Sequence, residues 1–122
     1  MTTAVQMVNI TKTFPGTIAD DKVNLQVEKG EVHGLLGENG AGKTVLLKVL
    51  SGLERQTSGK IFFEGETIET LPAWEVVKLG LVYVPEGMRV FPQMSVLENL
   101  EVGAYCHREG MAGRLDLAFR VF

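Results

Sequence analysis

Alternation of apolar and polar residues is cleanest from Lys22 to Glu28. Val23, Leu25 and Val27 share one face there, and Lys22, Asn24, Gln26 and Glu28 the other, which predicts a half-buried antiparallel strand. Ala4 to Ile10, with Val5, Met7, Val8 and Ile10, predicts a short strand before it. Thr11 to Asp21 contains Pro15 and Gly16, sustains no period and predicts a turn-rich connection with Phe14 as its one large apolar group. Val32 to Leu36 and Leu81 to Val84 are nearly continuous in apolar character, apart from His33, and predict strands buried on both faces. Lys60 to Glu64, carrying Ile61, Phe62 and Phe63, predicts another strand between the turn residues Thr57, Ser58 and Gly59 and the reversal at Gly65.

Helical spacing marks the remaining ordered stretches. From Lys43 to Ser51, Val45, Leu46, Val49 and Leu50 recur at intervals of three and four, and Gly52 is a natural stop. A short helix is predicted over Ala73 to Leu79, between Pro72 and Gly80. Glu86 to Met94 reads as irregular. Ser95 and Glu98 then have the spacing of a capping box for a helix to about Tyr105, with Val96, Leu97, Leu100 and Ala104 on one stripe. Gly110 and Gly113 break the pattern. Arg114 to Phe122 resumes it and ends without a cap, so the sequence reads as cut short rather than finished.

Composition narrows the class. A chain of 122 residues with 45% hydrophobic content predicts a single modest core. Its 12 basic and 15 acidic side chains, net −3, give no electrostatic case for a nucleic-acid partner. No signal peptide or membrane-length apolar run is present, and the lone Cys106 builds neither an internal disulfide nor a thiolate metal site. Together these predict a cytoplasmic protein in which Cys106 is a small packed side chain.

The chemistry concentrates in GENGAGKT, Gly37 to Thr44, which follows an apolar run and opens a helical pattern. It satisfies the phosphate-loop template through Gly37, Gly42, Lys43 and Thr44, with Glu38, Asn39, Gly40 and Ala41 between them. Binding a triphosphate requires several backbone N–H groups turned onto its oxygens, and glycines allow that close wrap. Lys43 supplies a mobile charge for the β- and γ-phosphates, Thr44 a hydroxyl for Mg²⁺, and the new helix its positive end. The competing reading is a glycine-rich turn before a helix; the strand-to-helix context favours the phosphate loop. His33, inside a predicted strand, and His107, near a helix end, are read as structural. Met88 and Met94 are read as packing residues.

With the loop and the stretch LGLVYVPEGMRVFPQMSVLENLEVGAY in view, the chain resembles the N-terminal part of an ABC transporter ATP-binding protein, over essentially all its length. NITKTFPGTIADDKVNLQVEKGEVHGLLGENGAGKT is similar to cassettes of simple-sugar and nucleoside importers, and YVPEGMRVFPQMSVLENLEVGAY to the cassette of branched-chain amino-acid importers. The second half is weighted more, because the phosphate-loop region varies little across the superfamily. The resemblance implies an α/β fold of the P-loop NTPase type, with an antiparallel β layer, part of a parallel core sheet and the start of a helical subdomain. The nucleotide-binding core would span 1–90 and the helical subdomain would begin at 91–122. It implies ATP and Mg²⁺ as cofactors, and an ATPase subunit powering import of branched-chain amino acids, with sugar or nucleoside import as the alternative. Implied partners are permease subunits, a second ATPase subunit and a solute-binding protein, with the subunit peripheral on the inner face of the membrane.

Two residues acquire roles by position in that family. Phe14 falls where an aromatic ring stacks on adenine, and position and residue type both favour that role over its plain reading as a core or loop anchor. Glu86 falls where the family usually carries a glutamine reaching the metal and the attacking water, and a carboxylate there still ligates Mg²⁺ while adding negative charge. Its plain reading is a solvated loop acid. The resemblance also puts the family's signature motif, second acidic strand and late histidine beyond Phe122, so the 122 residues are expected to bind nucleotide without hydrolysing it. A non-catalytic nucleotide-binding or interaction module is the rival of a different class. A small kinase or GTPase would need an arginine-rich lid or an Asn-Lys-x-Asp motif, and neither occurs.

Overall fold

The computed structural model describes residues 2–38, 40–87 and 89–122. Its contacts divide the chain into two compact units, one running through Tyr83 and the other from Val84 to Phe122.

In the first unit, β1 (Thr3–Phe14) and β2 (Thr17–Glu28) form an antiparallel hairpin. Residues 11–21 are therefore not a loose connection. β-Branched Thr11, Thr13, Thr17 and Ile18 suit extended backbone, and the turn shrinks to Pro15 and Gly16 between the paired Phe14 and Thr17. Gly16 has φ 77°, as the third position of a type II turn requires after proline. The register slips between Met7 and Ile10, where Asn9 has φ 51° and donates its N–H to Asn24 Oδ1 at 3.0 Å. β3 (Ser58–Phe63) pairs with β1, and a two-residue β4 (Glu66–Thr67), not expected from the sequence, pairs with β3, giving the antiparallel order β2-β1-β3-β4.

One core joins this sheet to α1 (Lys43–Leu50) and α2 (Ala73–Lys78). Met7 and Ile10 of β1, Ile61 of β3, Ile68, Leu46 and Val49 of α1 and Val76 of α2 are all buried in it. Val45 and Leu50 pack at its edge, completing the apolar stripe predicted for α1. The segments 32–36 and 81–84 behave differently from expectation. Neither forms a ladder among the described residues, and Val32 and Leu36 are 99% and 95% exposed. A parallel strand needs a neighbour's backbone groups, and no described segment supplies them. His33, expected inside a strand with a satisfied ring, lies in no ladder among the described residues, but its ring does have a partner, with Nδ1 3.2 Å from Glu31 Oε1.

In the second unit, α3 (Val96–Gly103) begins at the predicted capping box. Glu98 N–H donates to Ser95 Oγ at 3.1 Å, and Ser95 N–H to Glu98 Oε2 at 2.6 Å. Asn99 ties the irregular stretch before it to the helix, accepting from Phe91 N–H at 2.8 Å and donating to Phe91 O at 3.1 Å. α4 (Met111–Val121) starts three residues earlier than its spacing predicts. Gly110 provides a left-handed N-cap, and Gly113 is absorbed inside the helix at a cost of about 1 kcal/mol. Leu100 of α3 and Ala104, which caps its C-terminal end, line an apolar groove with Met111, Leu115 and Ala118 of α4. Cys106, expected to be packed, is exposed on the connection between the helices.

Candidate functional site

The phosphate-loop segment leads directly into α1. Gly42 is the N-cap, with φ 87° and no side chain to satisfy the first turn. The first N–H groups of a helix lack intrahelical acceptors, so this end presents donors and the positive pole of the helix dipole. Gly42 is held to glycine twice over. Its backbone is left-handed, and a Cβ would lie 2.4 Å from Ala19 O and 2.5 Å from Asp20 Oδ1. Gly37 lets the loop close on itself, since a Cβ there would meet Ala41 Cβ at 3.3 Å and Lys43 Cδ at 3.6 Å. Ala41 N–H donates to Glu38 O at 3.1 Å. Asn39, predicted to belong to the loop, lies outside the described residues.

Lys43 donates its ammonium to the Gly37 carbonyl, which holds the charge over the loop. Thr44 is exposed. Gly40, Gly42, Lys43, Thr44 and Val45 form one side of an open depression, and Thr17, Ile18 and Ala19 at the start of β2 form the other. That second wall was invisible in the sequence, because it exists only if the hairpin folds back beside the loop. Asp20 was missed for the same reason. Its carboxyl is buried, 5% exposed, and lies against Gly42. Burial raises its pKa above the ordinary carboxylate value.

Phe14 stands at the hairpin tip, 39% exposed, paired in register with Thr17 of the depression. The Lys12 ammonium lies 4.8 Å from its ring centroid. Phe14 is thus a loop-end aromatic and not one of the fully buried core residues. Glu86 is exposed in the second unit, on the segment after Pro85. No cluster of three or more His, Cys, Asp or Glu suited to a metal ion occurs among the described residues. Met88 lies outside the described residues. No helix among the described residues is long and apolar enough to cross a membrane.

The sequence profile of the ABC transporter family matches residues 21–120. A ribose import ATP-binding protein of Rubrobacter xylanophilus is 42% identical over 90% of this chain and 22% of its own length. A galactose/methyl galactoside import ATP-binding protein of Yersinia pestis is 42% identical over 83% of the chain and 20% of its own length. Among solved structures, the ADP conformation of an ABC transporter cassette is 32% identical, with TM-score 0.75, over 89% of this chain and 43% of that one. A dimeric bacterial ABC transporter cassette is 26% identical, with TM-score 0.75, over 85% of this chain and 48% of that one. The chain therefore spans about a fifth of these curated relatives and under half of these solved cassettes.

Proposed function

The chain belongs to the ABC transporter family, and from that premise we propose that it is the nucleotide-binding part of an importer's ATPase subunit. The observation that carries this reading is the glycine-capped start of α1, where Gly42, Lys43 and Thr44 face a depression walled by Thr17 to Ala19. An anion suits that place: unsatisfied N–H donors, a helix dipole and an ammonium converge, and no Cβ obstructs at Gly42. ATP would lay its phosphates over residues 40–44. Lys43 would exchange the neutral Gly37 carbonyl for phosphate oxygens, so that its hydrogen bond would run between two opposite charges. Thr44 would offer its hydroxyl to Mg²⁺, which when bound neutralises phosphate charge. Phe14 would stack on the base with the ring face that Lys12 leaves open.

Glu86 is proposed as the acidic counterpart of the family's metal- and water-reaching residue, consistent with its exposure. Hydrolysis needs a further acidic metal partner and a water-orienting group, so we assign binding to these 122 residues and turnover to the complete subunit. Permease subunits, a second ATPase subunit and a solute-binding protein are the proposed partners, with the subunit peripheral on the membrane's inner face. The solute is proposed to be a simple sugar. Relatives named for ribose and galactose import favour it, and the branched-chain amino-acid reading taken from the second half of the sequence gives way to it.

Equilibrium titration with ATP tests the site. The parent should bind and Lys43→Ala should lose roughly tenfold or more in affinity, since one desolvated charge contact on phosphate is removed. Equal binding by the two proteins would reject the assignment. Steady phosphate release by the 122 residues, abolished by Lys43→Ala, would reject the division between binding and turnover.

A further inference from the structure

Asp20 is a buried acid placed where an anion-binding loop turns. Its Oδ1 would lie 2.5 Å from a Cβ on Gly42, so the carboxyl packs directly on the residue that caps α1. Its Oδ2 is buried and has no hydrogen-bond partner among the described residues. The nearby cations are engaged elsewhere. Lys12, the cross-strand register partner of Asp20, donates to Arg55 O at 2.7 Å and pairs with Glu54 at 3.5 Å, while Lys43 is held by the Gly37 carbonyl. A carboxylate in that position is partly stripped of water, and no ion pair among the described residues offsets that loss. Its charge sits directly behind Gly42, and from there its field falls on the start of α1 at short range.

We propose that Asp20 is a positioning residue that weakens the hold of the phosphate loop on its anion, by setting an uncompensated carboxylate behind Gly42. It opposes the helix dipole and the Lys43 ammonium at the one point where the loop passes into α1. Such opposition grows with the number of negative charges on the ligand and shortens the residence of a bound nucleotide. The inference deepens the nucleotide-site reading above and rests on it.

The test compares ATP, ADP and adenosine binding by the full chain, its Asp20→Asn and Asp20→Glu variants, and Lys43→Ala. Asp20→Asn keeps the shape and removes the charge. It should tighten ATP binding by about three- to tenfold, ADP by less, and leave adenosine unchanged, as expected for one buried charge acting at loop distance. Asp20→Glu should show no gain. A purely structural role would move all three ligands together, so an equal change for ATP and adenosine, or unchanged or weaker ATP binding in Asp20→Asn, overturns the proposal. If Asp20→Glu does not fold, the ATP-to-adenosine contrast in Asp20→Asn still decides. Binding lost in Lys43→Ala but identical in Asp20→Asn and the parent removes this proposal alone. Absence of nucleotide binding by the parent removes the site, and this proposal with it.

Discussion

Gly42 shows how a single residue is constrained from two directions. Its φ of 87° excludes most side chains, and the Ala19 carbonyl and Asp20 carboxyl fill the space a Cβ would take. Gly42→Ala should lower unfolding stability by at least about 1–2 kcal/mol in denaturant titration, from the left-handed backbone alone. The contact with Ala19 adds to that loss, and ATP affinity should fall with it. Asp20 makes a second prediction. Desolvation favours its protonated form, so the folded state binds this proton more tightly than the unfolded chain does. Its contribution is fully present below the ordinary value of 3.8 and is lost as pH rises through the higher folded value. Asp20→Asn should therefore melt above the parent at neutral pH, and the difference should shrink as pH falls toward 3.8. A constant difference across that range would mean the charge is not the cause. The loop glycines and Lys43 are legible from spacing alone, whereas Asp20 reads in the sequence as one polar residue of a turn.

Among the elements, α3 is the one whose start is written most directly in local chemistry. Both hydrogen bonds of its capping box form, and the Ser95 backbone N–H together with the Ser95 hydroxyl holds the Glu98 carboxyl below its ordinary pKa. Ser95→Ala should cost about 1 kcal/mol of helix stability, measured as lost helical circular dichroism on heating. The Glu98 contribution has the opposite pH sign to that of Asp20. It is present above 4.5 and is lost as pH falls through the lowered folded value, so the melting of α3 should become acid-sensitive just below that point and Glu98→Gln should remove the sensitivity. The β1–β2 hairpin is the contrasting case. Thr11 to Asp21 has no period strong enough to announce strands, and only pairing across a two-residue turn organises it. Asn9 and Asn24 likewise gain meaning only opposite each other, where one amide side chain satisfies the bulged backbone of its neighbour.

For the whole molecule, the distribution of apolar surface is the informative quantity. Met7, Ile10, Leu46, Val49, Ile61 and Val76 close one core, while Val32, Leu36, Val82 and Val84 are left exposed on segments with the composition of buried parallel strands. Exposed apolar backbone of that kind templates association. The 122-residue chain should therefore sediment above monomer mass as its concentration rises. Val32→Lys combined with Val84→Lys should shift it back toward monomer, and unchanged sedimentation would show that these segments are not the cause.

Sequence alone determined the glycine-capped start of α1, the amphipathic face of that helix, the short α2 and the capping box of α3. Each depends on residues within a few positions of one another, so spacing carries the whole signal. Tertiary structure decided what those elements face. It made residues 11–21 into paired strands, set Thr17 to Ala19 opposite Lys43, and buried Asp20 against Gly42. It also left Val32 and Leu36 without the ladder partners that their composition anticipates. The reason is common to all of these: a strand's partner and a buried charge's surroundings are contacts between residues far apart in the chain, and no local period encodes them.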